Sequence, residues 1–175
     1  MALSPEEIAG NLHQVQSRIL QACERSRRSP DEVTLIAVSK TKPSAAIHAA
    51  FAAGARDFGE NYVQELMQKQ QDFASAEEAG KLRWHMIGHL QKNKVKYLVG
   101  KVALIHSVDS LPLAEQIARE ADKRETAVPI LLEVNAAEEE SKWGFRLEEV
   151  PEAARILSTL PRLRLLGLMT SAPYT

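Results

Sequence analysis

Apolar positions open the chain at helical spacing. Ile8, Leu12, Val15, Ile19 and Cys23 recur every three or four residues, the stripe of a helix packed along one side. Ser4 with Glu7 three residues on reads as a capping box, and Pro5 suits the first helical position, so a helix is predicted over 5–26. The period then changes. Val33-Thr34-Leu35-Ile36-Ala37-Val38 is apolar on both faces, the pattern of a strand buried within a parallel sheet, and Lys40 lies at its C-terminal end. Pro43 opens an alanine-rich segment closed by Gly54, with proline early and glycine late marking a second helix.

The alternation continues along the chain. A strand near 55–59 leads to a helix over 63–73, and a strand over 82–87 leads to a basic helix over 91–98 that ends at Gly100. Runs rich in β-branched residues at 102–108 and 128–134 flank a helix over 113–124. A helix over 147–160 precedes a last strand at 163–169. A leading helix and about six strand–helix steps, joined by loops of ordinary length, predict one α/β domain over 1–175.

Strict alternation of this kind means a parallel sheet, either open and doubly wound or closed into a barrel. Two features select a TIM-type (β/α) barrel. No glycine-rich dinucleotide turn follows the first strand, and polar residues gather at strand C-termini: Lys40, Asn61, His85, Asp109, Asn135 and Thr170. A closed barrel of this type has eight strands, so about six predict a barrel lacking its C-terminal part.

Composition narrows the partner. With 22 Lys+Arg against 23 Asp+Glu, no field of one sign favours nucleic acid or an anionic membrane, and a small ligand is expected. The N-terminus lacks a basic region followed by an apolar run, and no stretch approaches bilayer length, which predicts a cytoplasmic protein. The single cysteine, Cys23, cannot form an internal disulfide and reads as a core thiol on its helix stripe.

Lys40 is the leading candidate for chemistry. An ammonium at the end of a buried strand is poorly hydrated, which favours the neutral amine that attacks carbonyls. Thr34, Ile36 and Val38 alternate on its face and would form an apolar wall beneath it. The competing reading is a lysine that marks the strand end and reaches into water. Lys42, beside a helix start, reads as solvated. Asn61, in Phe58-Gly59-Glu60-Asn61-Tyr62, either bonds a polar ring substituent through its amide or caps the next helix. His85 and His89 straddle a strand-to-helix turn, which is not a zinc pattern, because no helix carries both and no third ligand follows at suitable spacing. Lys92, Lys94 and Lys96 read as a solvated face, and His48 as a surface or half-buried helix residue. The acidic run at 138–140 reads as a loop on the site face, with Trp143 packing over the barrel mouth.

Five segments, AVSKTKP at 37–43, FGENYVQE at 58–65, WHMIGHLQKNK at 84–94, EVNAAEEESKWG at 133–144 and LLGLMT at 165–170, together resemble the pyridoxal-phosphate homeostasis protein family across nearly the whole chain. The resemblance implies a barrel related to the alanine racemase N-terminal domain, pyridoxal 5′-phosphate (PLP) as cofactor, and Lys40 as the lysine that forms the internal aldimine. It implies Asn61 on the cofactor side and Met169 at the barrel floor or beside the ring. His85, at its strand end, completes the candidate cofactor set. The function implied is a carrier or regulator of PLP and amino-acid balance without turnover of its own, a monomer or weak dimer with PLP-dependent enzymes as recipients. A PLP-dependent amino-acid racemase and a cofactor-free Schiff-base aldolase remain alternatives. Family members continue past the Gly-Leu-Met strand into segments that form a phosphate cup and supply an arginine facing the pyridine nitrogen, and neither motif occurs in 1–175.

Overall fold

The computed structural model describes residues 3–75, 80–137 and 143–171, so the acidic run at 138–140 lies outside the described residues. The chain divides into two compact units, Met1–Gly59 with Gln68–Arg83, and Glu60–Met67 with Trp84–Thr175.

In the first unit, helix α1 spans Pro5–Ser26 as predicted. The Ser4 backbone N–H donates to the Glu7 carboxylate (2.7 Å) and the Glu7 N–H to the Ser4 hydroxyl (3.2 Å), closing the capping box. Cys23 is buried on its inner stripe. Strand β1 is shorter than the sequence suggests, Ile36–Val38. The N–H of Val33 is taken by the Pro30 carbonyl at the end of a 3₁₀ turn, so the first half of the apolar run closes a turn instead of extending the sheet. Helix α2, Ser44–Ala52, packs on α1. It ends where Gly54, at φ 104°, adopts the left-handed conformation that glycine allows without strain. Strand β2, Asp57–Glu60, pairs in parallel with β1, Ile36 opposite Asp57 and Val38 opposite Gly59. Helix α3, Val63–Asp72, brings its C-terminal turns to α2 through a Ser44–Asp72 hydrogen bond of 2.5 Å and a stack of His48 on Phe73 with ring centroids 4.0 Å apart. Ile47, Phe58 and Phe73 are fully buried, each worth roughly 1.5–3 kcal/mol relative to exposure.

In the second unit, strands β3 (Arg83–Met86), β4 (Leu104–Val108), β5 (Val128–Glu133) and β6 (Leu163–Met169) lie side by side in that order, all parallel. Met86, Ile105, Ile130 and Leu132 have no exposed surface. Helix α5, Leu111–Lys123, buries Leu113, Ala114, Ile117, Ala118 and Ala121 along one stripe. The predicted basic helix at 91–98 is a 3₁₀ turn, Lys92–Lys94, followed by a single turn of helix, α4, Val95–Leu98. Val95 and Leu98 are its buried anchors, while Lys92 and Lys96 face solvent. Helix α6 covers Val150–Leu157. Beyond it the Ser158 and Thr159 hydroxyls donate to the Ala154 and Ile156 carbonyls, closing the helix before the predicted end. β6 matches its predicted span, and among the described residues no helix is long and apolar enough to cross a membrane.

Candidate functional site

Lys40 follows β1 by two residues, within a turn. Ser39 continues the sheet ladder, its N–H donating to the Gly59 carbonyl at 3.0 Å. Its own carbonyl accepts the Lys42 N–H at 3.0 Å, which closes the turn Ser39–Lys42 around Lys40. Thr41, the third residue of that turn, sits at φ 61°, a left-handed conformation that a β-branched residue rarely adopts. The structure corrects the expectation of a desolvated lysine: Lys40 is exposed, and so is Val38, half of whose surface faces solvent. Thr34 precedes the strand, so no continuous apolar wall of Thr34, Ile36 and Val38 forms. Among the described residues the Lys40 ammonium makes no hydrogen bond or ion pair. An open cleft of about 540 Å³ lies beside the turn, lined by Leu3, Ile8, Val38, Thr41, Lys42 and Ile47 among others.

The carbonyl of Ser39 carries a second bond, from a residue the sequence reading passed over. The Lys69 ammonium, on the last turns of α3, donates to it at 2.7 Å inside the protein, and both residues are 5% exposed. A signal was present. Val63 and Leu66 of α3, with Phe73 just past its end, form a buried stripe, and Lys69 falls on it at helical spacing, where a lysine is out of place unless its charge is satisfied.

The strand ends of the second unit gather the other candidates. His85, in β3, is buried, and its Nδ1 lies 2.9 Å from Nε2 of His106 in β4. Burial, and then the neighbouring His85, push His106 down to about 4. Asn61, just past β2, is half-buried against the β3 turn: a Cβ on Gly88 would stand 2.5 Å from the Asn61 carbonyl oxygen and 2.6 Å from its Cα, so only glycine fits. The Gly88 carbonyl in turn accepts the Ser107 hydroxyl at 2.6 Å. Met169 closes β6 opposite Glu133 of β5, and its carbonyl accepts the Val134 N–H at 2.8 Å.

His89, left without a role by the sequence, is held from two sides. Its Nδ1 is 2.9 Å from the buried carboxylate of Asp109, and its ring stacks on Trp143 with centroids 4.0 Å apart and planes 20° from parallel. Trp143 is thus a cover for His89. Glu133 has one buried carboxylate oxygen without a hydrogen-bond partner among the described residues. Burial, and next the Asp109 charge, raise its carboxyl above the ordinary range, against a smaller opposing effect of His89. No group of three or more His, Cys, Asp or Glu among the described residues is placed to hold a metal ion.

Residues 10–174 match the alanine racemase N-terminal domain family. The chain is 45% identical over 166 residues to the pyridoxal phosphate homeostasis protein of Escherichia coli K12, covering 93% of this chain and 69% of that one. It is 42% identical over 163 residues to the protein of the same name from Aquifex aeolicus, covering 93% and 70%. The structure of PipY from Synechococcus elongatus with PLP bound superposes with a TM-score of 0.74 at 38% identity, covering 91% of this chain and 72% of that one. Alanine racemase from Clostridium difficile shares the fold at 14% identity, with a TM-score of 0.69 over 94% of this chain and 41% of that one. The parallel strand–helix steps are therefore those of the TIM-type barrel of PLP proteins, and the chain belongs to the pyridoxal phosphate homeostasis protein family.

Proposed function

We propose that this protein binds PLP covalently through the Lys40 amine and serves intracellular PLP and amino-acid homeostasis as a carrier without turnover of its own. The observation that carries this reading is the placement of Lys40: an exposed amine without an ionic partner among the described residues, held in a fixed turn at the C-terminal end of β1, in a family with a relative solved with PLP bound. The residues fit such a group. PLP supplies an aldehyde that a lysine amine captures reversibly. Lys40 is the attachment point. Asn61, set by its contact with Gly88, offers an amide that both donates and accepts, and His85 and Met169 line strand ends in the second unit. PLP-dependent enzymes would be the recipients of the cofactor, and the cytoplasm its site of action.

Spectrophotometric titration with PLP tests the reading. Wild-type protein is expected to develop a new visible absorbance band that saturates with PLP, and Lys40→Ala to show only the spectrum of free cofactor. Identical spectra would remove the proposal.

One observation favours a second reading, amino-acid racemisation. The His89 imidazole, oriented by Asp109, has the arrangement of a base aligned by a carboxylate. Racemisation of common amino acids by the PLP-loaded protein, lost in both Lys40→Ala and His89→Ala, would establish it over the carrier.

A further inference from the structure

The turn that presents Lys40 is costly by itself. Thr41 holds φ at 61° although its side chain is branched at Cβ. Such a conformation persists only where its surroundings fix it, and two bonds converge on Ser39 to do so. The Lys42 N–H reaches the Ser39 carbonyl from within the turn (3.0 Å), and the Lys69 ammonium reaches the same oxygen from α3 (2.7 Å). The platform behind Lys69 is itself fixed. Its helix is tied to α2 by the Ser44–Asp72 hydrogen bond and by the stacking of His48 on Phe73. A buried ammonium is retained at a cost in desolvation, and an apolar side chain would fill the same stripe of α3 at lower cost. The Ser39 carbonyl, 2.7 Å away, is one of the groups that the charge holds in place.

We infer that Lys69 is a positioning residue for Lys40: through the Ser39 carbonyl it locks the strained turn in the conformation that presents the Lys40 amine to an aldehyde ligand. The inference rests on the proposed role of Lys40 in PLP attachment, and the experiment separates the two.

The rate of borohydride-trapped PLP attachment is compared, by intact mass, among wild type, Lys69→Met, Thr41→Gly and the double variant. Hydrogen exchange at the Lys42 amide is followed in the same proteins without cofactor, and thermal unfolding reports overall stability. Lys69→Met is expected to attach PLP about tenfold more slowly and to lose protection at Lys42 by a similar factor, the value of one charge-assisted hydrogen bond. Thr41→Gly, which relieves the left-handed strain, should restore most of both in the Lys69→Met background without restoring thermal stability. Recovery confined to the local readouts separates positioning from general packing. If Lys69→Met is too unstable to purify, Lys69→Gln, which keeps a neutral donor on a side chain one atom shorter, should show the same loss in milder form. Wild-type attachment rate and Lys42 protection in a folded Lys69 variant would overturn the inference, as would losses that track thermal stability and ignore Thr41→Gly. Absence of PLP attachment in wild type would instead refute the role of Lys40, and Lys42 exchange would still decide whether Lys69 holds the turn.

Discussion

His85 Nδ1 stands 2.9 Å from His106 Nε2 in the buried layer between β3 and β4. One ring donates and the other accepts, so the contact survives only while at least one imidazole is neutral.

Burial of His106, and next its pairing with His85, makes stability depend on pH in a stated direction. His106 titrates near 6.5 when free and near 4 in the folded protein. Between those values the unfolded chain binds the extra proton, so the contribution is complete above about 6.5, shrinks as pH falls toward 4 and is constant below that. The loss is on the order of 3 kcal/mol. Thermal unfolding across this window should show a shallower decline for His106→Gln than for wild type. Parallel curves would place the buried neutral imidazole elsewhere.

Glu133 acts with the opposite sign. Its carboxyl is raised above its ordinary value of 4.5, first by burial and then by Asp109. The folded state holds the proton more tightly, so stability is full below about 4.5 and is lost as pH rises through the folded value. Glu133→Gln, neutral at every pH, should therefore unfold at a higher temperature than wild type at pH 7–8, with the difference vanishing near pH 4. A variant less stable than wild type at neutral pH would show that the carboxylate is compensated.

Gly88 has no room for a side chain, since a Cβ would meet the Asn61 backbone at 2.5 and 2.6 Å. Gly88→Ala is expected to destabilise the protein by roughly 1–3 kcal/mol. It should also weaken PLP retention, because Asn61 must move. Denaturant unfolding and a PLP titration check the two parts separately, and unchanged retention would take Asn61 out of the cofactor site.

Much of this architecture was legible because local signals agreed with the fold. The capping box and apolar stripe placed α1 to the residue, and β6 emerged at its predicted bounds. Where the reading drifted, a local hydrogen bond outweighed the hydrophobic pattern: the 3₁₀ turn at Pro30–Glu32 claimed Val33, and the basic segment before Leu98 had too few apolar anchors for a long helix. The candidate site was legible as residue types at strand ends. Its pairings were not, because His85 with His106, His89 with Asp109 and Lys69 with Ser39 join residues 21, 20 and 30 positions apart. Lys40 itself was located correctly at the end of β1, but its exposure was not foreseen, since the apolar run before it is not all strand.

Lys42 provides the internal control for Lys40. Its backbone N–H, not its side chain, closes the turn, so Lys42→Ala keeps the Ser39 bond. PLP attachment in Lys42→Ala should stay within about twofold of wild type, well under one lost hydrogen bond. A loss equal to that of Lys40→Ala would spread attachment over both amines.

The most direct measurement is the intact mass of the PLP-incubated protein before and after borohydride reduction, followed by peptide mapping of the reduced species. A single irreversible PLP adduct on the peptide containing Lys40, absent in Lys40→Ala and retained in Lys42→Ala, is the predicted result. No adduct on the wild-type chain, or one that persists in Lys40→Ala, would contradict it.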